Sequence, residues 1–165
     1  MFDITTYRDF HAKLKADFDD FVKEPDSARL ALNCIITAYH LHEWVWGDWL
    51  KAGHAVWQTL GIRDKESFVA WIERECPAFK TMQDLANGTK HFIRDQAFQT
   101  RRVGGYGMGP YGVGPYGKNY LLIDYGADAG EQRWKTAQDL IEAVVKFWNQ
   151  FFEQHCTKAE PSASN

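Results

Sequence analysis

Residues 134–152 read WKTAQDLIEAVVKFWNQFF. Trp134, Ala137, Leu140, Ile141, Val144, Phe147, Trp148, Phe151 and Phe152 recur every three or four positions. That period places them on one stripe of an α-helix, and it predicts a helix from about Glu131 to His155. A stripe this wide and aromatic must be buried against other elements, so the rest of the chain should supply a helical frame around it. Residues 157–165 are small and polar and read as a disordered tail.

Upstream of this helix the pattern changes. Tyr120–Tyr125 (YLLIDY) reads as a strand, bounded by a turn over Gly126–Gly130. Ala97–Val103 reads as short and extended. Between them, Gly104–Gly117 holds seven glycines in fourteen residues and a pentad repeat: Tyr106-Gly107-Met108-Gly109-Pro110, Tyr111-Gly112-Val113-Gly114-Pro115, Tyr116-Gly117. The expectation is one β-hairpin, about 97–103 and 119–125, whose long tip is this loop.

Earlier still, the apolar period is helical again. Ile4, Tyr7, Phe10, Leu14, Phe18, Phe21 and Val22 predict a helix over about 5–23, ended by Glu24-Pro25-Asp26. Leu32, Ile35, Ile36, Tyr39, Trp46 and Leu50 predict a long central helix over about 27–51, closed by Gly53. A short helix, His54–Leu60, ends at Gly61. Asp64 opens the next, with Phe68, Trp71 and Ile72 inward. It stops at Cys76-Pro77, where Pro77 suits the first turn of a helix that runs to about His91 or Ile93. The predicted fold is mainly α: a four- to five-helix bundle, one domain over 1–156, with the hairpin inserted before the C-terminal helix.

Composition limits the function. The 165 residues allow one proper core. Nineteen basic and twenty-two acidic residues give net charge −3, which argues against a broad nucleic-acid footprint but leaves room for a local patch. Cys34, Cys76 and Cys156 are odd in number and widely spaced, so reduced thiols and a cytoplasmic setting are expected. No stretch reads as a signal peptide or a membrane span, and no membrane partner is expected.

Two apparent nucleotide signatures sit in the loop. Gly107–Gly112 and Gly112–Gly117 both match GxGxxG, and Gly112–Asn119 mimics a P-loop. Each such motif needs a following helix whose N-terminus holds the phosphate, and here a strand follows. Pro110 and Pro115 also remove backbone donors. No cofactor is expected. The loop reads either as an exposed connection or as a sticky arm in which Tyr106, Tyr111 and Tyr116 stack on RNA bases or on a protein partner. His40, His42, Glu43, Asp48 and His54 crowd one region without a metal-ligand spacing, so no metal site is assigned. A hydrogen-bonded structural role for His40 is the plainer reading.

The motif of most interest is Leu85-Ala86-Asn87-Gly88-Thr89-Lys90-His91. Asn87 and His91 are four apart and share one helical face, with Lys90 adjacent. An amide, an imidazole and an ammonium so placed can bind an anion or act on a phosphate. The stretch resembles the RNxxxH signature of HEPN domains, small helical bundles of toxins, phage-defence proteins and RNA-processing factors. The resemblance implies a metal-independent ribonuclease in active members, working as a homodimer. It maps Asn87 and His91 onto the motif and puts Ala86 where the family carries Arg, so the bidentate phosphate clamp is missing. On this reading His91 is acid/base, Lys90 holds phosphate, Asn87 orients, and His40 and Glu43 form a facing shell. Three functions therefore compete: a HEPN-like, RNA-directed protein; a non-catalytic binding module using the Tyr/Gly loop; and a metal-dependent bundle enzyme built on His40, Glu43, Asp48 and His91.

Overall fold

A computed structural model describes residues 3–91, 99–105 and 108–156, without the side chains of His54, Thr89, Lys90 and His91. The expected disordered tail lies outside the described residues. The chain is mainly helical, with a small antiparallel sheet before the C-terminal helix.

Helix α1 spans Tyr7–Lys23. It starts where Thr6 and Asp9 exchange side-chain and backbone hydrogen bonds in a capping box. Helix α2 spans Ala28–Trp44. The single long helix expected here is wound in three ways: after α2 the chain widens into a π-turn over Val45–Trp49, then tightens into a 3-10 turn over Leu50–Ala52. The widening separates the two tryptophans. Trp46 stacks with Trp57 and Phe68 on one side, while Trp49 stacks with Tyr7 and meets Phe151 edge-on at the other. Helix α3, His54–Leu60, ends at Gly61, whose φ of 67° is the left-handed cap expected of glycine. Helix α4, Lys65–Glu75, is capped by the Asp64–Ser67 pair. Helix α5 spans Ala78–His91.

Strands β1 (Gln99–Val103), β2 (Tyr120–Asp124) and β3 (Trp134–Thr136) lie in the order β1-β2-β3. The two-stranded hairpin expected from sequence is thus a three-stranded sheet. Helix α6 begins at Ala137, not near Glu131, and ends at His155. Residues 127–132 form two short 3-10 turns broken at Gly130, whose φ of 55° and ψ of −128° are not helical. Trp134 shares the helical period of Ala137 and Leu140, but its backbone pairs with Asp124 of β2. Thr136 decides the boundary: its extended backbone closes the strand, and its hydroxyl accepts from the Asp139 amide at 3.0 Å to start the helix. Beyond the end of β3, the Leu121 amide donates to the carbonyl of Pro25 at 3.1 Å, so the α1–α2 loop completes the sheet edge.

The main core joins α1, α2, α5 and α6. Leu14, Phe21, Leu41, Phe79 and Trp148 are wholly buried, and Trp148 donates from Nε1 to the Ala38 carbonyl at 3.1 Å. Leu121 and Ile123 feed this core from one face of the sheet. Val103, Tyr120 and Leu122, on the opposite face, make a separate cluster with Val113 and Trp134 against it. No described helix is long and apolar enough to cross a membrane.

Candidate functional site

Helix α5 carries the Asn87–His91 segment. Its buried face is set by Phe79, Met82 and Ala86, which recur at helical spacing. Asn87 follows Ala86 and is exposed. The side chains of Lys90 and His91 lie outside the described residues, so only the backbone relation stands: His91 is one helical turn beyond Asn87. Ala86, at the position matched to the family Arg, is 5% exposed and part of the main core. A guanidinium there would have to leave the core face.

The facing residues on α2 divide differently from the expectation. His40 is half-buried and its ring lies 5.1 Å from that of Tyr39. The buried, hydrogen-bonded histidine is His42, not His40. Nδ1 of His42 donates to the Tyr39 carbonyl at 2.5 Å, its ring meets Phe79 edge-on, and Nε2 is 3.4 Å from Glu43 Oε1. Glu43 is exposed and bound to Lys65 at 2.7 Å, a clamp between α2 and α4. Asp48 accepts from the Tyr7 amide at 3.0 Å, at the start of α1. Glu43 and Asp48 are therefore committed to different neighbours. Among the described residues no three His, Cys, Asp or Glu side chains could hold a metal ion.

Burial depresses the pKa of His42, opposed by its bond to Tyr39 and by Glu43. Burial also depresses that of His11, whose Nε2 meets Asn149 Oδ1 at 2.7 Å between α1 and α6. Both imidazoles are thus held neutral on folding, while the unfolded chain takes up protons near pH 6.5. The contribution is complete above about pH 6.5 and is lost as pH falls toward the lower folded values. Urea midpoints should therefore decline between about pH 7 and 5, and His42→Gln should flatten that decline. A midpoint constant across this window in the parent chain would contradict it.

The pentad loop is built onto the outer face of the sheet. The Tyr120 hydroxyl donates to the Val113 carbonyl at 2.7 Å. The second glycine of each pentad, Gly109 and Gly114, presses against Tyr120: a Cβ at Gly109 would collide with its hydroxyl, and one at Gly114 would lie 2.6 Å from its ring. Gly114 also has φ +78°, which an L side chain rarely adopts. The repeat is therefore a spacing device that lets the backbone lie flat on one buried aromatic. Most described residues of the loop are exposed, as the reading of it as an exposed connection expects, and its backbone is in addition anchored on Tyr120 through Gly109, Val113 and Gly114. Tyr111 and Tyr116 point outward at 106% and 83% exposure, and Met108 at 67%. Tyr106 lies outside the described residues.

Next to the loop, Trp134 carries two guanidinium groups. Arg133 Cζ is 4.4 Å and Arg101 Cζ 5.0 Å from its ring. Arg133 is in turn bound at two points to Asp124, at 2.9 and 3.1 Å, and this partner holds the Asp124 carboxyl below the usual carboxylate range. A cleft of about 360 Å³ opens between the loop, β3 and α6, with Val113 and Trp134 on its walls. Tyr120, Trp134 and this cleft were not singled out from sequence. The signal for Tyr120 was present: two glycines five residues apart, followed by a strand that opens on an aromatic.

Comparison of the chain with known family models, with curated proteins and with solved structures finds no match.

Proposed function

We propose that the chain is a non-catalytic interaction module on a HEPN-like helical frame, and that the pentad loop is its recognition element. The observation that carries this reading is the exposure of Tyr111 and Tyr116 on a backbone fixed by Tyr120. Tyrosine offers a large amphipathic contact with few torsions to freeze, and a backbone already held in place adds little further ordering cost. Ala86 supports it as well, because the position that would carry the phosphate-clamping Arg is packed inward.

The double variant Tyr111→Ser/Tyr116→Ser tests it. Both side chains face solvent, so helicity and melting should stay unchanged while binding to a captured partner falls at least tenfold. Removing residues 104–117 is a poorer test, since it would also uncover Val103, Tyr120 and Leu122. Undiminished capture by the double variant would end the reading.

A second reading, RNA cleavage by the α5 segment, draws support from the exposure of Asn87 one turn before His91. If it holds, His91→Ala abolishes cleavage of an RNA oligonucleotide, a loss of 10² or more on the scale of about 10²–10⁴ for an acid/base group, with the fold intact. Equal cleavage by the variant, or none by the parent, discards it.

A further inference from the structure

We infer that the cleft beside the pentad loop receives Tyr111 from a second copy of this chain, so that two molecules pair about a two-fold axis and exchange tyrosines. The inference rests on the interaction-module reading and supplies its partner.

Three observations lead there. The first is adjacency. A two-fold interface uses the same patch on both molecules, so that patch must carry a projection and a matching recess. Tyr111 is fully exposed, and the next residue, Gly112, lines the cleft. Projection and recess are thus neighbours on one surface.

The second is shape. Ala78, Gly112, Gly114 and Ala143 narrow the cleft without filling it, and Leu140 and Trp134 give it apolar walls. A slot lined by small residues and one indole suits a flat ring. Its volume of about 360 Å³ leaves room for a tyrosine ring.

The third is charge. Lys135 and Asp139 both line the cleft. Opposite charges on one patch can meet their counterparts across a two-fold axis. The cations beside the cleft are matched by carboxylates: Arg133 is bound to Asp124, and Lys135 and the Arg101 over Trp134 stand with Asp139, so the patch is mixed rather than uniformly basic. This balance favours a self-complementary partner over a polyanion.

Two tyrosines alone fall well short of the roughly 800 Å² per partner of a stable interface, so the pairing should be weak, with a dissociation constant on the order of 10 µM. Sedimentation velocity on the full chain, from about 1 to 200 µM, should show a reversible monomer–dimer equilibrium. Tyr111→Ser removes the projection, and Ala143→Arg blocks the recess from an exposed position on α6. Each should weaken pairing at least tenfold with helicity unchanged. A mixture of the two variants keeps one good projection and one open recess, and should pair more tightly than either variant alone. A chain monomeric throughout, a dimer indifferent to both substitutions, or a mixture no tighter than its components would each overturn the inference. If the chain is monomeric yet captures another partner through Tyr111 and Tyr116, the module reading survives without this inference. If neither self-pairing nor capture depends on the loop, both fall.

Discussion

Trp148→Ala is expected to lower the free energy of unfolding by about 4 kcal/mol, the largest loss from any single truncation in this chain. Trp148 is wholly buried, and the rings of Phe79, Phe147, Phe151 and Phe152 lie within 6.5 Å of it by centroid. Truncation removes the indole area, leaves a cavity that aromatic neighbours can only partly close, and deprives the Ala38 carbonyl of its 3.1 Å donor. Trp148→Phe keeps most of the packing but not the hydrogen bond, and should cost about 1–2 kcal/mol. Urea unfolding followed by far-ultraviolet circular dichroism gives both numbers, with the slope of the transition unchanged if only stability has moved. A loss under about 1 kcal/mol for the alanine variant would mean that α2 and α6 are joined by something else.

The second large effect belongs to Tyr120. Tyr120→Ala should cost about 3 kcal/mol and release the pentad loop, because the ring that Gly109 and Gly114 rest on disappears. Tyr120→Phe keeps the ring and loses only the 2.7 Å bond to Val113, a cost of about 1 kcal/mol. Amide hydrogen exchange separates the two levels. In the alanine variant the amides of residues 108–117 should exchange much faster than in the phenylalanine variant, while those of α6 remain protected. Loop amides that exchange alike in all three chains would show that Tyr120 does not hold the loop.

The helical frame was legible because period and punctuation agreed. Asp64 and Gly61 mark ends that the structure keeps, and the α6 stripe from Ala137 onward is the buried stripe. Trp134 misled because a residue three places before a helical stripe fits its period in either conformation. The pairing of Trp134 with Asp124 is a contact between segments, which a local pattern cannot display. The π-turn after Trp44 was hidden for a similar reason: its Trp46 and Trp49 stack on Trp57 and Tyr7 of other segments, contacts that a local pattern cannot display. His40 and His42 exchanged roles because a helix apolar on several sides gives little indication of which histidine faces inward. The pentad tyrosines were visible as candidates, but their footing was not. Glycine-rich repeats look alike whether they are loose or laid against a ring, and only Tyr120 distinguishes the two.

The bond from Leu121 to Pro25 has a kinetic corollary. Helices α1 and α2 are neighbours in sequence and can associate early, since the loop between them is short and its closure costs little. The sheet has no such advantage: β2 finds its last acceptor in a turn made near the beginning of the chain. The rate-limiting step of folding should therefore be the return of the sheet segment to an α1–α2 pair already in place, with long-range closure rather than helix formation setting the pace. During synthesis the turn at Pro25 would emerge first and wait for its donor, which gives the nascent chain a docking point for its later half.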